Sequence, residues 1–369
     1  MIGRSTLLKL FKPIYNNHPG LNNIFKLTDT GIDSLYNLVA TTFPQMIRPE
    51  PRSLFIAITA NCNLRCKGCR YGRDFMSGNQ IPWPVIRDLL TDAKDLGFEK
   101  VRLYGGEPLL HKDLPKIIEH ASGLGLNTWI TTNGLLLRDR LDELCDAGLR
   151  KISFGFYGVG EDYDRYVQVP GSFQKVEAAI AYAKEHHEMT SVSLDWVLMR
   201  PTAVPASLQR IFAFAEHYHT PLGVNLIHYS LPYFSMKDRE LQFTPEDRES
   251  LKQVAAELIS LKERRPDLIL LPRAVLHAIP DWLIKGPEMR VPCNSNRLVW
   301  VGADGTVQLC YVTFKLGNLH EKRLKDILFL PEHYKAARSA FFLQCPNCHC
   351  GFANRTLGYW PARRFYSQL

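Results

Sequence analysis

The feature that most constrains this chain is an alternation beginning near residue 54, in which short β-branched or aromatic runs are each followed by a longer segment with helical apolar spacing. The runs are SLFIAIT, KVRLYGG, NTWITTNG, KISFGFYG, SVSLDWVLM and GVNLIHYS. Between them lie WPVIRDLLTDAKDLG, LPKIIEHASGLG, LRDRLDELCDAG, GSFQKVEAAIAYAKEH and VPASLQRIFAFAEHY, several closing on glycine. Such repeated units predict an α/β protein with a parallel sheet and sites at the C-terminal ends of its strands. Six strands are fewer than the eight of a closed barrel, so a partial (β/α)6 TIM-like barrel, open on one side, is expected over residues 51–240.

Thr244-Pro245-Glu246-Asp247 reads as a helix start and LKQVAAELISLKERR as its body, which makes residues 241–291 a helical bridge. After Pro292, NRLVWVGADGTVQLCYV reads as a hairpin turned at Asp304-Gly305 and opens a small module over residues 292–369. Residues 1–50 read as an N-terminal helical extension. There Leu7, Leu8, Leu10, Phe11, Ile14 and Tyr15 line one face of a short amphipathic helix. Such a face docks on the protein's own core more often than on a membrane, so a cytoplasmic location is expected, with peripheral membrane contact as the alternative.

With 46% apolar and 22% charged residues the chain can bury a sizeable core. Its formal charge of +8 is spread along the sequence, and no nucleic-acid motif accompanies it. No apolar run approaches the roughly 20 residues that cross a bilayer.

Eight of the nine cysteines fall in two distant groups, a pattern that favours metal ligation over disulfides in a chain without an export signal. Cys145, in LDELCDAGL, reads as a buried helix residue. The first group, Cys62, Cys66 and Cys69, sits directly after the first strand. Three thiolates on a tetranuclear cluster leave one iron free for another ligand, whereas structural zinc wants a fourth nearby donor, and the next histidine is His111.

This C-x3-C-x2-C spacing resembles the signature of the radical S-adenosylmethionine superfamily, in which the free iron is chelated by the methionine end of the cofactor. The residue before the third cysteine is usually aromatic in that family; here it is Gly68, and Tyr71 is the candidate for packing near the adenine. Gly105-Gly106-Glu107-Pro108, at the end of the second strand, is similar to the family's GGEP segment. The glycines would let backbone approach the ligand, and Glu107 would offer a carboxylate to its ammonium group. By the same resemblance Asn133 and Ser153 contact the cofactor, and Ser153 and Arg165 are candidates for its carboxylate. A surface ion pair is the ordinary alternative for Arg165.

In the second group Cys293 and Cys310 come from the hairpin, and Cys345 and Cys348 from a tight C-x2-C turn, which can converge on one zinc or iron-sulfur site. C-x11-G-x4-C followed by C-x2-C looks like the auxiliary-cluster module called SPASM, or its half-sized twitch form. The resemblance implies one auxiliary [4Fe-4S] cluster on Cys293, Cys310, Cys345 and Cys348, with Cys350 spare or a substitute for one of the turn pair.

The expectation is therefore an enzyme that cleaves S-adenosylmethionine on a [4Fe-4S] cluster to a 5'-deoxyadenosyl radical and abstracts hydrogen, with the auxiliary cluster in electron transfer. A reductant such as flavodoxin or ferredoxin would feed it. Fifty residues before the barrel are too few for the peptide-recognition domain common in relatives, so a small-molecule or lipid-like substrate is the first reading and a peptide or protein substrate the alternative. A zinc-ordered scaffold without catalysis leaves the first cysteine group unexplained. Tyr71, Asp195, Tyr229 and Tyr233 lie near strand ends and could face substrate, though packing or solvent is the ordinary role for each.

Overall fold

The computed structural model describes residues 31–228, 237–310 and 313–369. The amphipathic segment at Leu7–Tyr15, and Tyr229 and Tyr233, lie outside the described residues.

Alternation in the strands sets the two faces of the sheet. In β1 (Ser53–Thr59) Leu54, Ile56 and Ile58 pack into the large core beneath the helices, while Phe55 and Ala57 belong to a second cluster on the opposite face. The same division recurs along β2 (Lys100–Gly105), β3 (Asn127–Thr132), β4 (Lys151–Phe156), β5 (Ser191–Leu198) and β6 (Leu222–Leu226). All six strands are parallel and pair in sequence order. This is the partial barrel that the alternation predicts.

The crossover helices bury one apolar stripe each against the outer face. They are α1 (Trp83–Asp95), α2 (Leu114–Gly123), α3 (Leu137–Asp146), α4 (Glu161–Val167), α5 (Ser172–His186) and α6 (Pro205–His217). The short α4 is an addition to the sequence reading. Its Asp164 accepts from Gly171 N and Phe173 N, which starts α5. Two helices follow, α7 (Arg248–Arg264) and α8 (Arg273–Lys285).

The hairpin after Pro292 is not a separate sheet. Its first strand, β7 (Leu298–Val301), pairs in parallel with β1; β8 (Thr306–Cys310) pairs antiparallel with β7, and β9 (Thr313–Asn318) antiparallel with β8, extending the same sheet. The edge of β1 that an open barrel would expose is thereby covered. The rest is helical: α9 (Leu324–Ile327), α10 (Pro331–Phe341), α11 (Phe352–Leu357) and α12 (Trp360–Ser367). No helix among the described residues is long and apolar enough to cross a membrane.

Candidate active site

The loop after β1 carries Cys62, Cys66 and Cys69. Gly68 sits at φ 74°, a left-handed conformation that glycine adopts without a side-chain penalty, which gives a backbone reason for glycine where an aromatic residue is the family's habit. Burial raises the Cys62 thiol to about 11 and pushes Cys66 and Cys69 up as well. Cys69 acts electrostatically on both Cys62 and Cys66, so the three thiols are neighbours. Tyr71 is buried beside them, its ring edge-on to Phe75 at 5.5 Å.

The two glycines at the end of β2 also permit a close approach of the chain to itself. A Cβ at Gly105 would stand 2.1 Å from Thr59 O, and one at Gly106 would stand 2.2 Å from Asn61 O. What comes close here is the chain's own cysteine loop, clamped by Gly106 N to Thr59 O (2.8 Å) and Glu107 N to Asn61 O (2.8 Å). Glu107 is fully buried, and its carboxylate already accepts from Thr132 Oγ1 (2.6 Å), Asn133 N (2.8 Å) and Leu109 N (3.1 Å). Burial raises its pKa to about 7 against the pull of those three donors. The side chain thus ties the β2 loop to the β3 loop. Asn133 completes the clasp by donating from Nδ2 to Asn63 Oδ1 (2.8 Å).

On the inner face Ser153, 3% exposed, donates to Asp195 on the neighbouring strand. Arg102 Nη2 lies 3.9 Å from the same carboxylate, and Arg102 Nε donates to Thr131 Oγ1 at 2.9 Å. The guanidinium also packs over Tyr104 (4.8 Å) and Phe55 (5.4 Å). Sequence reading passed over Arg102; its signal was a charge at an inward position of a buried strand. Arg165 lies apart from this group, on the surface, 3.3 Å from Asp162.

The second cysteine group meets the same face through Cys350. Cys348 and Cys350 are each pushed up to about 12, burial being the main cause. Cys350 interacts electrostatically with Cys310 and Cys293, and Cys348 with Cys350 and Cys293. Cys345 is less enclosed and interacts with Cys293. Cys350 is thus a neighbour of Cys293, Cys310 and Cys348. Cys69 and Cys350 both pack against one inner cluster built on Ala57, Ala60, Tyr71, Trp300 and Ala303.

Cys62, Cys66, Cys69, Cys145, Cys293, Cys345, Cys348 and Cys350 are free thiols. Among the described residues no three His, Cys, Asp or Glu side chains gather closely enough to hold a single metal ion. Neighbouring thiols, without the tight set that one zinc ion needs, fit ligands to separate irons of a cluster.

A family model for the radical SAM superfamily matches residues 56–197, and one for SPASM, an iron-sulfur cluster-binding domain, matches residues 293–351. The chain belongs to the radical SAM superfamily and carries a C-terminal SPASM domain. Over 150 residues it is 33% identical to the GTP 3',8-cyclase of Syntrophomonas wolfei, a match covering 39% of this chain and 46% of that protein. Over 113 residues it is 36% identical to the PqqA peptide cyclase of Bradyrhizobium diazoefficiens, covering 30% of each. The match thus spans less than half the length of these curated relatives. The structure of anSMEcpe with bound AdoMet superposes with a TM-score of 0.63 at 17% identity, covering 86% of this chain and 96% of that one. SuiB from Streptococcus suis, bound to precursor peptide SuiA, gives 0.61 at 19% identity over 82% of this chain and 70% of that one. At such identities the likeness is one of fold.

Proposed function

We propose that this protein is a radical SAM enzyme acting on a peptide held at the inner face of the partial barrel, between its two cysteine groups. The observation that carries the reading is that Cys69 of one group and Cys350 of the other pack against the same inner cluster. A bound iron-sulfur cluster with S-adenosylmethionine would supply a 5'-deoxyadenosyl radical that takes hydrogen from carbon.

The chain's own residues do the rest. Cys62, Cys66 and Cys69 hold the first cluster with one iron left open. The Gly105–Pro108 backbone, braced by Glu107, and Asn133 line the cofactor's methionine end. Ser153 binds its carboxylate, while Arg165 keeps the surface ion pair with Asp162 that was its ordinary alternative. Cys293, Cys310 and Cys348, with Cys345 or Cys350, hold the auxiliary cluster in an electron-transfer position, and a flavodoxin- or ferredoxin-like protein is the reductant. Tyr104, Trp129 and Phe55 provide the apolar wall against which substrate lies.

Support for a peptide comes from the PqqA peptide cyclase match and from anSMEcpe, bound to the Cp18Cys peptide, and SuiB, bound to SuiA, on the same fold. These favour the peptide over the small-molecule or lipid-like substrate that the sequence alone put first. A second reading, a small anionic molecule, draws on the GTP 3',8-cyclase match and on the Arg102 guanidinium facing inward.

Anaerobic reconstitution with iron and sulfide, followed by dithionite and S-adenosylmethionine, should yield 5'-deoxyadenosine, and Cys66→Ala should abolish it. Short peptides encoded beside the gene should raise that yield, one of them changing mass. Stimulation by nucleotides alone would displace the peptide in favour of the second reading.

A further inference from the structure

Arg355, on α11, is 2% exposed and has no carboxylate within ion-pair distance among the described residues. Its acceptors are all neutral oxygens: Val291 O, Cys348 O and, at 2.8 Å, Asn347 Oδ1. The guanidinium lies 4.6 Å over the fully buried ring of Trp282. Isolating a cation in this way is costly, because carbonyl dipoles and a ring face replace only part of its hydration.

The cost makes sense once the neighbours are counted. Arg355 bonds the backbone of Cys348 and the side chain of Asn347, one of the two residues between the cysteines of the C-x2-C turn. Its charge is felt at Cys345, Cys348 and Cys350 alike. Thiolates on an iron-sulfur cluster make a site of net negative charge, and nearby charge and hydrogen bonds set its potential. Resting on the reading that this group holds a cluster, we propose that Arg355 is the buried counter-cation of the auxiliary site and makes that site easier to reduce.

Arg355 is a positioning residue in this account, since it touches ligand backbone and not substrate. A merely structural clasp of the turn would depend on the planar fork; a counter-cation depends on charge. The test uses the full chain with Cys62, Cys66 and Cys69 replaced by Ala, so that only C-terminal iron remains, and follows reduction by electron paramagnetic resonance. Arg355→Gln should keep its iron but move the midpoint to more negative potential, while Arg355→Lys should stay near the parent. An unchanged potential in Arg355→Gln, or equal shifts in both variants, overturns the proposal. Should Arg355→Gln lose its iron, retention by Arg355→Lys supports the charge and loss in both overturns it. A parent chain without iron removes the cluster assignment beneath the proposal, a failure distinct from that of Arg355.

Discussion

Glu107 shows how one residue type is bent to a local need. A carboxylate with no exposure normally avoids ionising, and three donors compensate only in part, so its pKa stands at about 7 against an ordinary 4.5. Between those values the folded chain keeps a proton that the unfolded chain releases, so stability is highest on the acid side and falls as pH rises through the window. The span corresponds to about 3 kcal/mol. Urea unfolding of the cluster-free chain should show that decline between about pH 4.5 and pH 7, and Glu107→Gln should flatten it. A wild-type curve already flat there would show that the carboxylate is solvated, contrary to its burial. The residue scale also separates the C-terminal cysteines: Cys350→Ala should lose more C-terminal iron than Cys345→Ala, because Cys350 is the more enclosed and interacts with both hairpin cysteines. Equal losses would return Cys345 to the place that the spacing first gave it.

Among the elements, the pairing of β7 with β1 decides where the second cysteine group can lie. That pairing brings Trp300 beside Phe55 in register, and Trp300 Nε1 donates to Tyr104 OH across the inner face. A second tie is polar. Arg323, just before α9, grips Asp92 of α1 through Nε (3.0 Å) and Nη2 (2.7 Å), and Asp92 is 2% exposed. Removing one partner of a buried pair strands the other, a loss that the partial exposure of Arg323 moderates to about 2 kcal/mol. Arg323→Ala should therefore lower the urea midpoint and admit protease to the β9–α9 connection first. Global unfolding with no such preference would mean that β7 pairing alone carries the junction.

For the whole molecule, about eight irons per chain are expected from two tetranuclear clusters, and replacing Cys62, Cys66 and Cys69 together should leave about half. Complete loss would place all the iron in the barrel. The α/β class, the six-strand alternation and both cysteine groups were legible in the sequence because each is a local pattern: side-chain periodicity follows strand and helix geometry, and ligand spacing follows the reach of one loop. Less was legible where distant segments meet. Gly105 and Gly106 read as openings toward a ligand, yet a Cβ on either would strike the cysteine loop, and no spacing within GGEP announces that neighbour. Arg102, Asp195 and Ser153 come from three strands and acquire a common role only through sheet register. The hairpin's continuation of the main sheet, and the isolation of Arg355 beneath the C-terminal cysteines, likewise depend on which buried surfaces face each other. The sequence by itself determined the repeating units and the chemistry of their ligands. Tertiary structure alone decided which carboxylate is buried, which buried cation rests on neutral oxygens and which thiols are neighbours, because burial and electrostatic coupling arise between residues far apart in the chain.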